Sequence, residues 1–383
     1  MHNQLIAWRR DFHQHPEIAF QEVRTAGIVA ETLVQLGLEV QSGVGQTGVV
    51  AILEGHHDGP TVLVRCDMDA LPIEEENEVP YRSQTARTMH ACGHDGHTAI
   101  ALGVAHMLHQ QRAALRGRVK FVFQPAEEIA AGAQAMLQAG VLENPRPDVS
   151  LGLHLWNLMP VGKIGLAAGP LMAGSAIFTV ELEGRGGHAA APHQTADPVV
   201  AAAHLITALQ TLASRNVSPL ETAVISVTQV MAGDAHNVIP SRATLKGTIR
   251  FFKPEVRELI GQRFEQVVQG VAGGLGCAAQ VNIKDLTIPV VNDAAVVERL
   301  RQGFTTFAPE HEYLSADIQT MGGEDMAFFL EQVPGVFFFV GSSNAERDLH
   351  YAHHHPRFDF DERALVIGAA LLASAVSDYV LPA

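Results

Sequence analysis

Thr61-Val-Leu-Val-Arg65-Cys-Asp67-Met-Asp69-Ala-Leu-Pro72 reads as one β-strand running straight into an acidic loop. Thr61–Arg65 is close to continuously apolar and lacks the alternation of a strand with one wet face. Such a strand is covered on both sides, which places it in a central sheet between helices. Val49–Leu53, Val119–Phe123 and Val149–Leu153 read the same way. Between them, Thr98–Gln111 spaces Ile100, Val104 and Leu108 at helical intervals. Gln4–His15, stopped by Pro16, and Val23–Leu36, with Gly37 as its C-cap, are further helices. Strands alternating with helices imply an α/β architecture, a central mixed sheet with helices on both faces.

The pattern changes beyond residue 172. Ser175–Glu183 alternates like a half-buried strand, and Asp197-Pro198 opens a helix to Ala213. Thr222–Met231 and Ala243–Phe252 are strands, Pro254–Gly270 a helix and Ala278–Leu286 a last strand. That β-α-β-β-α-β order is the split, ferredoxin-like α+β unit. The expected organisation is a first domain over residues 1–172, an inserted domain over 173–287, and the remainder of the first domain over 288–383. The first domain ends in an amphipathic helix, Asp361–Val380, with Asp361 as N-cap.

A chain of 383 residues with 47% hydrophobic side chains has enough apolar surface for two cores. Its net charge of -15, with no Lys/Arg run, argues against nucleic acid or an anionic membrane as partner. No stretch reads as the ~18 apolar residues of a membrane span, and the N-terminus has no apolar signal core. Cys66, Cys92 and Cys277 are too few and odd in number for a disulfide framework, which fits a reducing cytoplasm.

Met89-His-Ala-Cys92-Gly-His94-Asp-Gly-His97-Thr98 carries the chemistry. Thiolate, imidazole and carboxylate are the side chains that hold zinc and its neighbours. Singly, Cys92 has the bland reading of a buried thiol, and His94 and His97 of satisfied histidines. Together, with Gly93 and Gly96 allowing tight backbone, they read as a metal site. Phe121-Val-Phe-Gln-Pro-Ala-Glu127-Glu128 sets two carboxylates just past a strand. One of such a pair can bind metal while the other takes a proton from an activated water. Leu151-Gly-Leu-His154-Leu-Trp156 and Ala352-His353-His354-His355-Pro356 add further donors, with one of the three adjacent histidines expected to be a ligand. In open α/β sheets the loops past the strand carboxyl ends form the ligand crevice, so these distant segments can converge. The set points to a metal-dependent hydrolase.

Asp67 and Asp69 would orient ligating histidines, although aspartate is also ordinary turn chemistry. Within the inserted segment, His188 in Gly184-Arg-Gly-Gly-His188 could donate to an oxyanion. Asn237 and Arg250 could clamp a substrate carboxylate. Gly322-Gly-Glu324-Asp325 reads as a tight loop whose acids begin a helix.

In this order the segments resemble the M20 metallopeptidase family. They most resemble its amidohydrolase branch of hippurate hydrolases, N-acyl-amino-acid aminoacylases and auxin-conjugate hydrolases. The resemblance runs from Phe12-His-Gln-His-Pro-Glu17 through the motifs above to His354-His-Pro356. It implies two divalent metal ions per subunit, held by Cys92, His94, Glu128, His154 and His354, with Cys92 bridging. Zinc suits the thiolate, and manganese, cobalt and nickel are the alternatives. It implies Glu127 as general base and the inserted domain, about Ala173–Thr287, as a lid and dimerisation domain. The implied reaction is hydrolysis of the amide of an N-acyl or N-aroyl amino acid by a homodimer through the inserted domain, with a higher homo-oligomer as the alternative. A dipeptidase or carboxypeptidase on the same scaffold, or a catalytically silent metal-binding protein, are the competing readings.

Overall fold

The structure, a computed structural model, describes residues 1–382. In chain order its helices are α1 (His2–Gln14), α2 (Val23–Gln35), α3 (His94–Gln110), α4 (Gly132–Gln138), α5 (Pro198–Thr211), α6 (Pro254–Gly274), α7 (Ala294–Phe307), α8 (Met326–Gln332) and α9 (Arg363–Val380). The strands up to the central region are β1 (Glu39–Val44), β2 (Gly48–Glu54), β3 (His57–Asp67), β4 (Arg116–Gln124), β5 (Val149–Pro160), β6 (Lys163–Gly165) and β7 (Gly169–Met172). There follow β8 (Gly174–Glu183), β9 (Gly187–His188), β10 (Ala223–Ala232), β11 (Val238–Ile239), β12 (Arg242–Phe251) and β13 (Ala278–Thr287). The last are β14 (Val290–Asn292), β15 (Glu312–Leu314) and β16 (Gly335–Ser343).

The chain divides into two compact units. One holds Met1–Leu171, Val290–Gln319 and everything from Asp325 onward; the other holds Met172–Pro289 and Thr320–Glu324. The return of Thr320–Glu324 to the second unit has no counterpart in the sequence reading. It follows from backbone pairing, since the Ala173 N–H donates to Thr320 O (3.1 Å) and Gly322 O (3.0 Å).

The first unit is built on an eight-stranded sheet in the order β1-β2-β4-β3-β5-β16-β6-β15. β4, β3, β5 and β16 run parallel, while β1, β2 and β6 pair antiparallel with their neighbours toward the centre, so the sheet is mixed. Both faces are covered, as the apolar runs require. Gly152 of β5 faces Met326 of α8, and the next residue, Leu153, faces Gly368 of α9. Val62, Val64, Phe121, Phe123 and Leu151 are fully buried in one core. Each such side chain contributes ~1.5–3 kcal/mol by leaving water.

Three elements differ from the sequence reading at the places that matter. α3 begins at His94 rather than Thr98, so the metal-type residues lie in its first turn. Gly93 makes this start possible with φ +96°, a left-handed conformation in which a side chain would be strained. β5 continues past Leu153 to Pro160, so His154 lies inside the strand rather than at its end. α9 begins at Arg363 with Glu362 at the N-cap, and the Asp361 carboxylate accepts the Arg363 N–H at 3.1 Å. Over its 18 residues, α9 has a mean hydropathy of 1.5, enough by length and composition to cross a membrane. Gly368, Ser374, Ser377 and Asp378 interrupt its apolar run. Leu365, Leu371, Leu372 and Val376 of α9 are buried in the first unit's core, as in a core helix.

The second unit has the expected β-α-β-β-α-β order, with its antiparallel sheet arranged β10-β12-β8-β13. Phe178, Leu245, Leu205 and Phe264 bring one sheet face and both helices into a separate core. β10 lies at an edge, with Val224, Val230 and Met231 exposed.

A buried ionic cluster joins α1 to α3 and to the segment before α9. Arg9, with no exposed surface, donates to Asp95 (2.9 Å) and Asp359 (2.6 Å) and lies over the Phe360 ring at 4.3 Å. His13 sits between Asp95 (2.8 Å) and Glu75 (3.2 Å). Burial alone would depress the His13 pKa, but the Asp95 and Glu75 carboxylates lift it from 6.5 to about 9. A pKa raised on folding stabilises fully below the unfolded value and ceases to do so as pH rises through the folded one. His13 should therefore contribute about 3 kcal/mol below pH 6.5, lost progressively as pH rises to about 9. Thermal melts across that window should show the wild type losing stability, and His13→Gln starting lower and staying level. A wild-type profile no steeper than that of the variant would contradict this role.

Candidate metal centre

Parallel strands β4, β3 and β5 end on the same side of the first unit's sheet, and each delivers a polar group there. β3 ends at Asp67, with Asp69 two residues on. β4 ends at Gln124 and leads through Pro125-Ala126 into Glu127-Glu128. β5 carries His154. α3 starts beside them, its first turn held by His94, Asp95 and His97. The turn at residues 352–356 brings His353 and His354 to the same place, tied by a His354 N–H to Ala91 O bond of 2.8 Å.

The donor atoms group tightly. Cys92, His94 and His154 offer ligand atoms all within 4.8 Å of one another, and so do Cys92, Glu128 and His354. Cys92 belongs to both triads. Cys92 Sγ is 3.6 Å from His154 Nε2, and Glu128 Oε2 is 3.2 Å from His354 Nε2. Glu128 Oε1 is 3.8 Å from His94 Nε2. Donors bonded to one zinc ion at 2.0–2.3 Å stand roughly 3.2–3.8 Å apart, so these separations fit a shared cation. Glu127 groups with His94 and Glu128 within the same 4.8 Å limit.

Hydrogen bonding settles which nitrogens face the centre. His94 Nδ1 lies 2.9 Å from Asp69 O and 3.2 Å from Asp69 Oδ1, so Nδ1 carries the proton. His94 Nε2 and Glu128 Oε1 are buried and have no hydrogen-bond partner. Buried polar atoms without partners are costly, and a cation between them would satisfy both. His154 donates Nδ1–H to Leu155 O (2.7 Å), which turns Nε2 toward Cys92. His97 donates Nδ1–H to Asp67 Oδ1 (2.6 Å) and accepts the Leu155 N–H at Nε2 (2.9 Å). Both its nitrogens are used, so His97 is a brace rather than a donor to the centre.

The charge pattern points the same way. Burial pushes the Cys92 thiol well up, and Glu128 and Glu127 push it further, so only a cation would favour the thiolate. Burial would lower the His94 pKa, but Asp67, Asp69 and Glu128 raise it to about 10. Burial holds His154 well down, with His97 and His353 adding to the effect. The carboxylates favour positive charge beside His94 and Cys92, while burial keeps His154 neutral, the form in which an imidazole binds a cation.

Asp69 accepts from His94 Nδ1 through its backbone and side-chain oxygens. Asp67 instead braces His97 and lies 3.9 Å from His94 Nε2. The sequence reading missed His353, whose Nδ1 is 3.9 Å from Cys92 Sγ and whose Nε2 accepts the Asn157 N–H at 3.2 Å. Nothing in three successive histidines distinguishes the one beside the sulfur. It also missed Arg65, which is fully buried and donates to Asp67 (2.8 Å), Gln124 (2.8 Å) and Asp325 (2.9 Å). A charge inside an apolar strand was the available signal. Asp325, expected to begin a helix, is the N-cap residue of α8, but its carboxylate accepts from Arg65, Gln124 and the Ala133 N–H.

The remaining expected residues belong to the second unit. His188 in β9 pairs with Val238 of β11, is exposed, and accepts the Ala190 N–H at Nδ1 (3.0 Å). Asn237 adjoins it, its carbonyl accepting the Ala189 N–H at 3.1 Å. Arg250 is half-buried near the far end of β12, donating to Met321 O at 3.3 Å. At ~3.3 Å per residue, about 26 Å of strand separates Arg250 from Arg242, the end of β12 nearer Asn237. Asn237 and Arg250 of one chain therefore do not clamp one carboxylate, because an extended strand holds them apart.

The chain is similar to known proteins along nearly its whole length. A model of Peptidase family M20/M25/M40 matches residues 63–378. The N-acetylcysteine deacetylase of Bacillus subtilis (strain 168) is 42% identical over 379 residues, 97% of this chain and 96% of its own length. The N-acyl-L-amino acid amidohydrolase of Geobacillus stearothermophilus is 45% identical over 289 residues, 75% of this chain and 78% of its own. A dinuclear metal-binding peptidase of family M20 from Bacillus subtilis, solved crystallographically, aligns with a TM-score of 0.85 and 38% identity, covering 98% of this chain and 96% of that one. By fold, by the family match and by identity over nearly its whole length, this chain belongs to peptidase family M20/M25/M40.

Proposed function

We propose that the chain is a two-metal amidohydrolase that cleaves the amide of N-acyl or N-aroyl amino acids into a carboxylic acid and a free amino acid. The observation that carries this reading is the pair of donor triads sharing Cys92, with Glu127 beside them. The names of the two similar enzymes, a deacetylase and an amidohydrolase of N-acyl amino acids, support the substrate class. Cys92, His94, Glu128, His154 and His354 would hold two divalent cations, Cys92 belonging to both donor triads. The soft thiolate favours zinc, and manganese, cobalt and nickel are the competitors that a metal analysis separates. A thiolate ligand calls for a reducing compartment, which the cytoplasm supplies.

When bound, the cations supply Lewis acidity, lowering the pKa of water toward ~7 and polarising the scissile carbonyl. Glu127 takes the proton of the attacking water and passes it to the leaving nitrogen. Asp69 orients the His94 ring through Nδ1, and Asp67 braces it through His97. Arg250 has no carboxylate partner among the described residues, and burial lowers its pKa, so a half-buried cation is left to meet an anionic substrate group. The free α-carboxylate of an N-acyl amino acid is that group. We further assign the exposed edge strand β10 to a two-fold dimer. His188 and Asn237 then act from the second copy, which removes the difficulty of their distance from Arg250 along β12.

Metal-reconstituted protein should hydrolyse hippurate and N-acetyl amino acids faster than dipeptides. Glu127→Gln should keep two metal ions per chain and lose activity by a factor of order 10² or more. Glu128→Gln should lose metal. A metal-depleted Glu127→Gln beside a fully loaded Glu128→Gln would reverse the two roles.

Carboxylate recognition predicts that hippurate is a far better substrate than hippuramide, and that Arg250→Met narrows the gap. Equal kcat/KM for the two compounds in the wild type would exclude it.

The dimer assignment is tested by complementation. His188→Ala should lose about 10²–10³ in kcat through loss of an oxyanion donor. Co-refolded with Glu127→Ala, it should regain substantial activity, because each mixed dimer then has one complete site. Mixed dimers as inactive as either parent would place His188 in its own chain's chemistry or outside it.

A further inference from the structure

Glu22 stands at the N-cap position of α2, yet its carboxylate makes no capping bond to that helix. It has no exposed surface. One oxygen accepts the Phe20 N–H (3.0 Å) and the Ala126 N–H (2.9 Å), and the other accepts the Thr47 hydroxyl (2.5 Å). Among the described residues no cation pairs with it, and burial raises its pKa above the usual carboxylate value. An unpaired buried carboxylate is costly, so the fold keeps Glu22 against a penalty.

The bond to Ala126 shows what is gained. Ala126 has φ +53°, a left-handed conformation that costs a residue with a side chain roughly 1 kcal/mol or more. It immediately precedes Glu127. On the other side of Glu127, the Glu128 N–H donates to Asp69 Oδ2 at 3.0 Å. The residues before and after Glu127 are thus each tied by backbone N–H to a buried carboxylate from elsewhere in the first unit. Such anchoring sets the direction in which the Glu127 side chain leaves the turn. A base must sit within hydrogen-bond reach of the proton it takes, and small displacements are expensive in rate.

We infer that Glu22 is a positioning residue for catalysis, holding the Ala126 turn so that Glu127 is aimed at the reacting water. The inference rests on the reading of Glu127 as base. Four variants decide it, assayed on the best N-acyl amino acid, with metal content and Tm measured for each. Glu22→Ala should lower kcat at least 10-fold, with two metals per chain and KM within about 3-fold of wild type. Glu22→Gln retains an oxygen for both N–H groups and should keep kcat within about 3-fold. Thr47→Val removes the other bond to Glu22 and should lower Tm while sparing kcat. Should Glu22→Ala fail to fold, Glu22→Asp, which keeps the charge but draws the oxygen back by one methylene, carries the same expectation. Wild-type kcat in Glu22→Ala or Glu22→Asp would overturn the assignment, as would equal kcat losses in the Thr47→Val and Glu22 variants. If Glu127→Gln is itself active, the base reading fails first. If it is inactive while Glu22→Ala is normal, only the role of Glu22 is lost.

Discussion

Beneath the candidate metal centre, a single guanidinium is wedged between two carboxylates in the middle of a sheet. Arg65 projects from β3 fully buried, and its hydrogen bonds run to Asp67 at one side and Asp325 at the other. From Asp67 the chain of contacts passes to His97 and on to the backbone of Leu155, next to His154. From Asp325 it passes to Gln124 and the Ala133 N–H, which bracket the turn bearing Glu127 and Glu128. Removing one member of such a buried ionic group typically costs 3–5 kcal/mol, because the others are left charged and unpaired. Replacing the whole group by hydrocarbon could cost nothing in stability. Its retention therefore makes sense as geometry: it fixes the separation of the segments that carry the donors.

The second unit uses its length differently. Its strands are long enough that chemistry at one end of β12 is independent of chemistry at the other. His188 and Asn237 gather at one end on the short β9–β11 ribbon, and Arg250 stands near the other. A strand of this length keeps the groups at its two ends apart.

Much of this was legible in the chain. Near-continuous apolar runs marked the central strands because burial on both faces leaves no room for polar alternation. The β-α-β-β-α-β unit was readable because its strands alternate and its helices carry Asp-Pro or Pro at their starts. The Cys92, His94, Glu128, His154 and His354 segments were visible as clusters of donor types. What stayed hidden depends on contacts between distant residues. Nothing local shows that Glu22 reaches Ala126, that Asp67 serves His97, or that His353 lies beside Cys92. The start of α3 at His94 stayed hidden because the left-handed conformation of Gly93, from which the helix begins, is not written in residue types. The separation of Asn237 from Arg250 follows from strand register, which a list of residue types does not contain.

The donors come from four segments separated by long stretches of chain, and the last of them follows the whole second unit. A growing polypeptide holds Cys92, His94, Glu128 and His154 well before His354 exists. Until β16 has entered the sheet beside β5, the turn that presents His354 has nothing to rest on. An ion that binds the finished centre but not the unfolded chain draws the folding equilibrium toward the native state in proportion to its free concentration. Metal supply in the cell would then set how much of this protein survives, as well as how much of it works.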